Sequence, residues 1–114
     1  MPYLQIQTNV DIKPSLQTTL LANASKTVAT ALGKPESYVM VALEANTPML
    51  FAGTDQPTAF LMLKSLRLPT ESTPALSETL CSFIEETLNI PKNRVYIEFT
   101  NGQPALWGWD GGTF

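Results

Sequence analysis

From its first residues the chain alternates. In PYLQIQT, residues 2–8, Tyr3, Gln5 and Gln7 fall on one side and Leu4, Ile6 and Thr8 on the other, the period of a strand. Pro14 suits the first turn of a helix. Leu16, Leu20, Ala24, Val28 and Leu32 then recur at helical spacing until Gly33 stops the helix. YVMVALE, residues 38–44, is rich in β-formers, and AFLMLKSL, residues 59–66, predicts a third strand. Leu76, Leu80, Phe83, Ile84 and Leu88 mark a second helical stripe, with Glu78, Glu85 and Glu86 outside it. Pro91 is expected to end that helix. RVYIEF, residues 94–99, predicts a fourth strand, and a short tail strand is expected over residues 105–109.

The two halves resemble each other. PSLQTTL (14–20) and PALSETL (74–80) share Pro, Leu, Thr and Leu at an offset of 60. KPESYVMV (34–41) and IPKNRVYI (90–97) set Pro35 against Pro91 and Val39 against Val95 at an offset of 56. The difference of four makes the first unit longer by about one helical turn. The reading is one domain over residues 1–114, built of two β-α-β units at about 2–45 and 58–100, plus the tail strand.

A parallel pair needs a crossover, which a helix supplies on a right-handed path. The expected class is therefore α/β in the broad sense and α+β in the narrow one. It is a tandem β-α-β repeat forming a four-stranded mixed sheet with two helices on one face. Tyr38, Met40 and Ala42 oppose Val39, Val41 and Leu43, and Phe60 and Met62 oppose Leu61 and Leu63. Both faces read as apolar, yet helices are available for only one. The other is expected to pack on further copies of the chain.

Composition narrows the function. With 44% hydrophobic and 15% charged residues, the chain can fill a core and is too apolar for disorder. Its charge of -3 and scattered cations argue against nucleic acid as a partner. No apolar run approaches the ~20 residues of a membrane span. The start has no basic segment followed by an apolar stretch, so the expected location is cytoplasmic, with non-classical secretion left open. A single cysteine, Cys81, allows neither an intrachain disulfide nor a multi-cysteine zinc site. Histidine is absent, which removes Ser-His-Asp and Cys-His chemistry and the usual transition-metal ligands. No metal and no cofactor are expected.

Acid–base chemistry near neutral pH then needs another group. Pro2 follows the initiator methionine, and removal of Met1 would leave a free secondary amine. An ordinary α-amino group titrates near ~7.7–8.0. Burial or a nearby cation lowers that value, leaving a neutral amine able to act as a general base. Met-Pro alone is a common beginning and carries little weight without context.

The context comes from MPYLQIQTNV at the start, LGKPESYVMV in the middle, FAGTDQPTAF after it, and NRVYIEF with GWDGGTF at the end. Over essentially the whole chain this ordered set resembles the macrophage migration inhibitory factor family of the tautomerase superfamily. The resemblance implies a homotrimeric barrel with an active site at each subunit interface and Pro2 as the catalytic base. It implies that Lys34 and the backbone amide of Leu66 bind a substrate carboxylate. It also implies that Tyr96 reaches in from the neighbouring subunit, and that Tyr3, Trp109 and Phe114 line an aromatic pocket. The implied activity is keto–enol tautomerisation of a small aromatic α-keto acid such as phenylpyruvate, or dopachrome isomerisation.

Two departures stand out. Glu98 occupies a position where the best-known members carry Asn, and a carboxylate there would raise the amine's pKa and repel an anionic substrate. The Cys-x-x-Cys of mammalian members is Thr58-Ala59-Phe60-Leu61 here, so thiol–disulfide chemistry has no residues to carry it. Cys81, beside Leu80 on the apolar side of the second helix, reads as structural. Other readings of the resemblance are a cytokine-like binding protein with a vestigial site, and a decarboxylase or dehalogenase relative that also uses an N-terminal proline.

Overall fold

The computed structural model describes residues 1–114. The chain runs β1 (Tyr3–Thr8), α1 (Pro14–Leu32), β2 (Met40–Glu44), β3 (Ala59–Leu66), α2 (Thr73–Leu88) and β4 (Val95–Gly102), then a two-strand hairpin of β5 (Gly108–Trp109) and β6 (Gly112–Thr113). The main sheet has the order β2-β1-β3-β4. β1 pairs parallel with β2 and antiparallel with β3, and β3 pairs parallel with β4. Each parallel pair brackets one helix, so the two predicted β-α-β units share one mixed sheet. Their helices have 19 and 16 residues, which accounts for the longer first unit.

Both helices cover one face. Leu4, Ile6 and Thr8 of β1 and Ala59, Leu61, Leu63 and Ser65 of β3 are buried there, together with Leu20, Ala24 and Val28 of α1 and Leu76, Leu80, Cys81, Phe83 and Ile84 of α2. Thr8 is satisfied by donating through Oγ1 to the Thr58 carbonyl at 2.8 Å. Leu16 departs from the expected stripe and is 57% exposed. It lies in the first turn of α1, over a shallow hollow shared with Ile12 and Leu88 instead of under the sheet.

The opposite face is not apolar as the pattern suggested. It carries Tyr3, Gln5 and Gln7 of β1, flanked in register by Met40, Ala42 and Glu44 of β2 and by Lys64, Met62 and Phe60 of β3. Tyr96, Glu98 and Thr100 of β4 complete it. Gln5 and Gln7 donate to the two carboxylate oxygens of Glu44 at 2.8 and 3.0 Å, tying β1 to β2 on this side. Alternation in β1 placed amides here, and the apolar reading of β2 and β3 did not carry across the whole sheet.

The helix ends follow local chemistry. Gly33 takes φ 64°, and the N–H groups of Gly33 and Lys34 reach back to the carbonyls of Thr30 and Ala29 at 3.2 and 3.0 Å. This is a Schellman closure, and glycine provides it without a Cβ clash. α2 is ended by Asn89 at φ 56°, its N–H bonded to the Glu85 carbonyl, two residues before Pro91. Asparagine tolerates the left-handed region, so the proline was not needed as the stop. The expected strand at 38–44 starts at Met40, because Glu36–Tyr38 forms a 3-10 turn after Pro35. Lys92–Arg94 turns in the same way ahead of β4. The tail strand expected at 105–109 shrinks to the two residues of β5, preceded by a turn at Pro104–Leu106.

Gly102 ends β4 beside Leu66, where an added Cβ would lie 2.8 Å from the Trp107 ring and 3.0 Å from the Leu66 side chain. Overpacking of this kind costs about 1–3 kcal/mol. Gly102→Ala should lower the chemical denaturation midpoint accordingly, and an unchanged midpoint would contradict the close approach of Trp107.

Candidate active site

The parallel register of β1 and β2 brings the chain start into the fold. Pro2 is fully buried, and its carbonyl accepts the Met40 N–H at 3.0 Å. Around it lies a cavity of about 230 Å³ walled by Tyr3, Tyr38, Met40, Trp107, Trp109 and Phe114. The rings form a cluster: Trp109 and Phe114 stack at 5.5 Å and 11°, and Tyr38 meets them edge-on at 5.8 and 6.5 Å. The β5–β6 hairpin delivers this wall, and the Phe114 N–H closes it by bonding to the Trp107 carbonyl at 3.2 Å.

A second cavity of about 340 Å³ shares Met1, Tyr38 and Phe114 with the first. Lys34, Leu66 and Arg67 line its far side. Lys34 is placed by the Schellman turn, and its ammonium donates to Ser65 Oγ at 2.7 Å and to the Leu66 carbonyl. A cation with two fixed acceptors and a third donor free is held in place without being neutralised. Burial, and then the charge of Arg67, push the Lys34 amine below the usual lysine range. The amino group of Met1 is likewise lowered, first by burial and then by the charge of Lys34. The chain-start amine therefore senses Lys34. A larger hollow of about 500 Å³ near Asn9, Thr47 and Asp55 has no cation and no aromatic ring, so the paired cavities are the better seat for chemistry.

Six of the eight predicted site residues meet here: Pro2, Tyr3, Lys34, Leu66, Trp109 and Phe114. Two do not. Tyr96 and Glu98 project from β4 on the open face, paired in register with Phe60 and Met62, and line neither cavity. Tyr96 is 65% exposed, with its ring edge against Phe51 at 4.8 Å. Phe51 lies beneath the Arg94 guanidinium, which donates to the carbonyls of Phe51, Thr54, Gln56 and Pro57 and so fixes that loop. Tyr38 and Arg67 were not singled out from the sequence. Tyr38 read as a strand residue, although Pro35, two positions after the left-handed Gly33, could have signalled a turn. Nothing in the sequence marks Arg67 as facing Lys34.

Two tandem β-α-β units sharing one mixed sheet are the tautomerase fold, and the comparisons with known proteins agree over the full length. The family model described as "Macrophage migration inhibitory factor (MIF)" matches residues 1–114. A macrophage migration inhibitory factor homolog of Brugia malayi is 38% identical, covering 100% of this chain and 99% of that protein. The Xenopus tropicalis macrophage migration inhibitory factor is 36% identical with the same coverage. Among solved structures, a homologue from Prochlorococcus marinus superposes with a TM-score of 0.92 at 40% identity, covering 98% of each chain. The Toxoplasma gondii protein gives 0.89 at 38% identity, covering 98% of this chain and 99% of that one. The chain belongs to the macrophage migration inhibitory factor family.

Lys34 depresses the chain-start amine, so removing its charge should raise that amine's pKa. In the chain that retains Met1, Lys34→Gln should move the amine upward toward its ordinary value, measured by NMR titration of the labelled amino group. An amine that stays put or falls would show that Lys34 does not reach it.

Proposed function

We propose that the chain is a keto–enol tautomerase acting on small aromatic α-keto acids, with the amine of Pro2 as general base once Met1 has been removed. The observation that carries the reading is a buried Pro2 at the junction of an aromatic cavity and a cationic one. While Met1 is attached, the Pro2 nitrogen is a tertiary amide and has no basic lone pair. After its removal, the burial and the Lys34 charge that lower the Met1 amine act on an amine one residue further in. Both effects enlarge the neutral fraction of that amine. That amine takes a proton from the carbon next to the ketone and returns it elsewhere on the conjugated system.

Lys34 and the Leu66 amide hold the carboxylate and fix the reacting carbon over the base. Tyr3, Tyr38, Trp109 and Phe114 receive the ring. Tyr96 enters from a neighbouring subunit of a homotrimer and donates a hydrogen bond to the developing enolate oxygen. The trimer is supported by exposed Met40, Leu50, Tyr96 and Leu106, which leave apolar surface uncovered on one protomer. A general base contributes about 10²–10⁴-fold. Pro2→Ala should therefore cut kcat/KM for phenylpyruvate by at least about 10²-fold. A variant as fast as the parent would refute the proline base and favour the cytokine-like reading that the relatives' shared name suggests.

Glu98 enters the same interface site beside Tyr96, two positions along β4. A carboxylate near the base stabilises the protonated amine, the opposite of Lys34's effect. Activity is lost as pH falls through the amine's pKa. Glu98→Asn should then move the acid limb of the kcat/KM profile to lower pH and reduce KM for phenylpyruvate. An unmoved profile, in a protein that still sediments as a trimer of 12.5 kDa chains, would show that Glu98 does not sense the base.

A further inference from the structure

Arg67 follows directly on β3 with φ 54°, in the left-handed region. Of the other non-glycine residues found there, Asn46, Asn89 and Asp110 have short polar side chains that suit it, and Ala52 has only a methyl group to place. Arginine has no such local reason, and a glycine would meet the backbone demand more easily. The side chain therefore needs an explanation outside the turn.

That explanation lies in the cavity it lines. Arg67 and Lys34 face the same space of about 340 Å³, whose other walls include Leu66, Tyr38 and Phe114 and no acidic side chain. Arg67 makes no side-chain hydrogen bond and no ion pair; the one ion pair of the protomer joins Lys92 to Glu78. Arg94 makes the contrast, with its guanidinium spent on four backbone carbonyls. The charge of Arg67 also acts on Lys34, lowering its amine, so the two cations are near enough to repel. Two cations in one cleft, with no acidic side chain of their own chain lining it, form a local anion trap on a chain of net charge -3.

We propose that Arg67 is a second anion-binding group of this site and makes it selective for α-keto acids that carry a second carboxylate. This rests on the tautomerase reading for the keto acid and on the cavity alone for the second anion. Lys34, a point charge already anchored by Ser65 and Leu66, takes the α-carboxylate. Arg67, a planar fork of donors with no partner within its own chain, takes the second carboxylate bidentately. One dianion relieves the repulsion between the two cations, which a monoanion bound at Lys34 leaves in place.

The test uses the trimeric protein with Met1 removed. Phenylpyruvate and phenyloxaloacetate, which carries its second carboxylate on the carbon next to the ketone and so leaves the ring free for the aromatic cavity, are titrated calorimetrically, with turnover measured in parallel, for the parent, Arg67→Gln, Arg67→Lys and Arg67→Gly. The quantity read is the ratio of the two dissociation constants. The preference for the dicarboxylate should fall about tenfold in Arg67→Gln and be largely restored in Arg67→Lys. It should also be lost in Arg67→Gly, while that variant's Tm rises because the left-handed strain is relieved. An equal loss for both probes would mean that Arg67 shares the α-carboxylate, and an unchanged ratio that it binds neither; either result overturns the proposal. A parent inert in turnover whose binding preference still depends on Arg67 would refute the tautomerase reading and support the second anion site.

Discussion

The site depends on one constraint: the chain start is locked inside the sheet. β1 is an inner strand, bounded by β2 and β3, so its first residue cannot fray as a free terminus would. The hydrogen bond from the Met40 N–H to the Pro2 carbonyl extends the β1–β2 pairing up to the proline. A terminal residue held in this way is desolvated on a rigid support, which is what lowers an amine's pKa while keeping it positioned.

The remaining parts are set around that point by three separate turns. The Schellman closure at Gly33 puts Lys34 against the end of β3, where Ser65 and Leu66 accept its protons. The 3-10 turn after Pro35 aims Tyr38 at the tail. The β5–β6 hairpin returns Trp109 and Phe114 onto Tyr38. Strand ends and the turns positioned by the sheet line the two cavities, and this is why they meet at residues far apart in the sequence.

Much of the fold was legible because each unit is consistent across levels. Pro14 and Gly33 bracket α1, the stripe of Leu20, Ala24 and Val28 buries as spaced, and β1 alternates as written. The misreadings each have a local cause. Pro91 looked like the natural stop for α2, but Asn89 can take a left-handed φ and ended it sooner. Tyr38 has the composition of a strand and the backbone of a turn. The open face read as apolar from Tyr38, Met40, Ala42, Phe60 and Met62, whereas register sets Gln5, Gln7, Glu44, Lys64 and Glu98 on it. In the site, Lys34 and Phe114 came from the family resemblance. Arg67 did not, because a positive φ at a non-glycine residue leaves no mark in a sequence.

The central claim is that the chain-start nitrogen is the base, and the most direct measurement is a ¹⁵N NMR titration of Pro2 in the chain freed of Met1. The account predicts a single inflection below the range of an ordinary α-amino group, coinciding with the acid limb of kcat/KM. A Pro2 nitrogen that stays protonated through neutral pH, or that titrates without any matching change in rate, would contradict it.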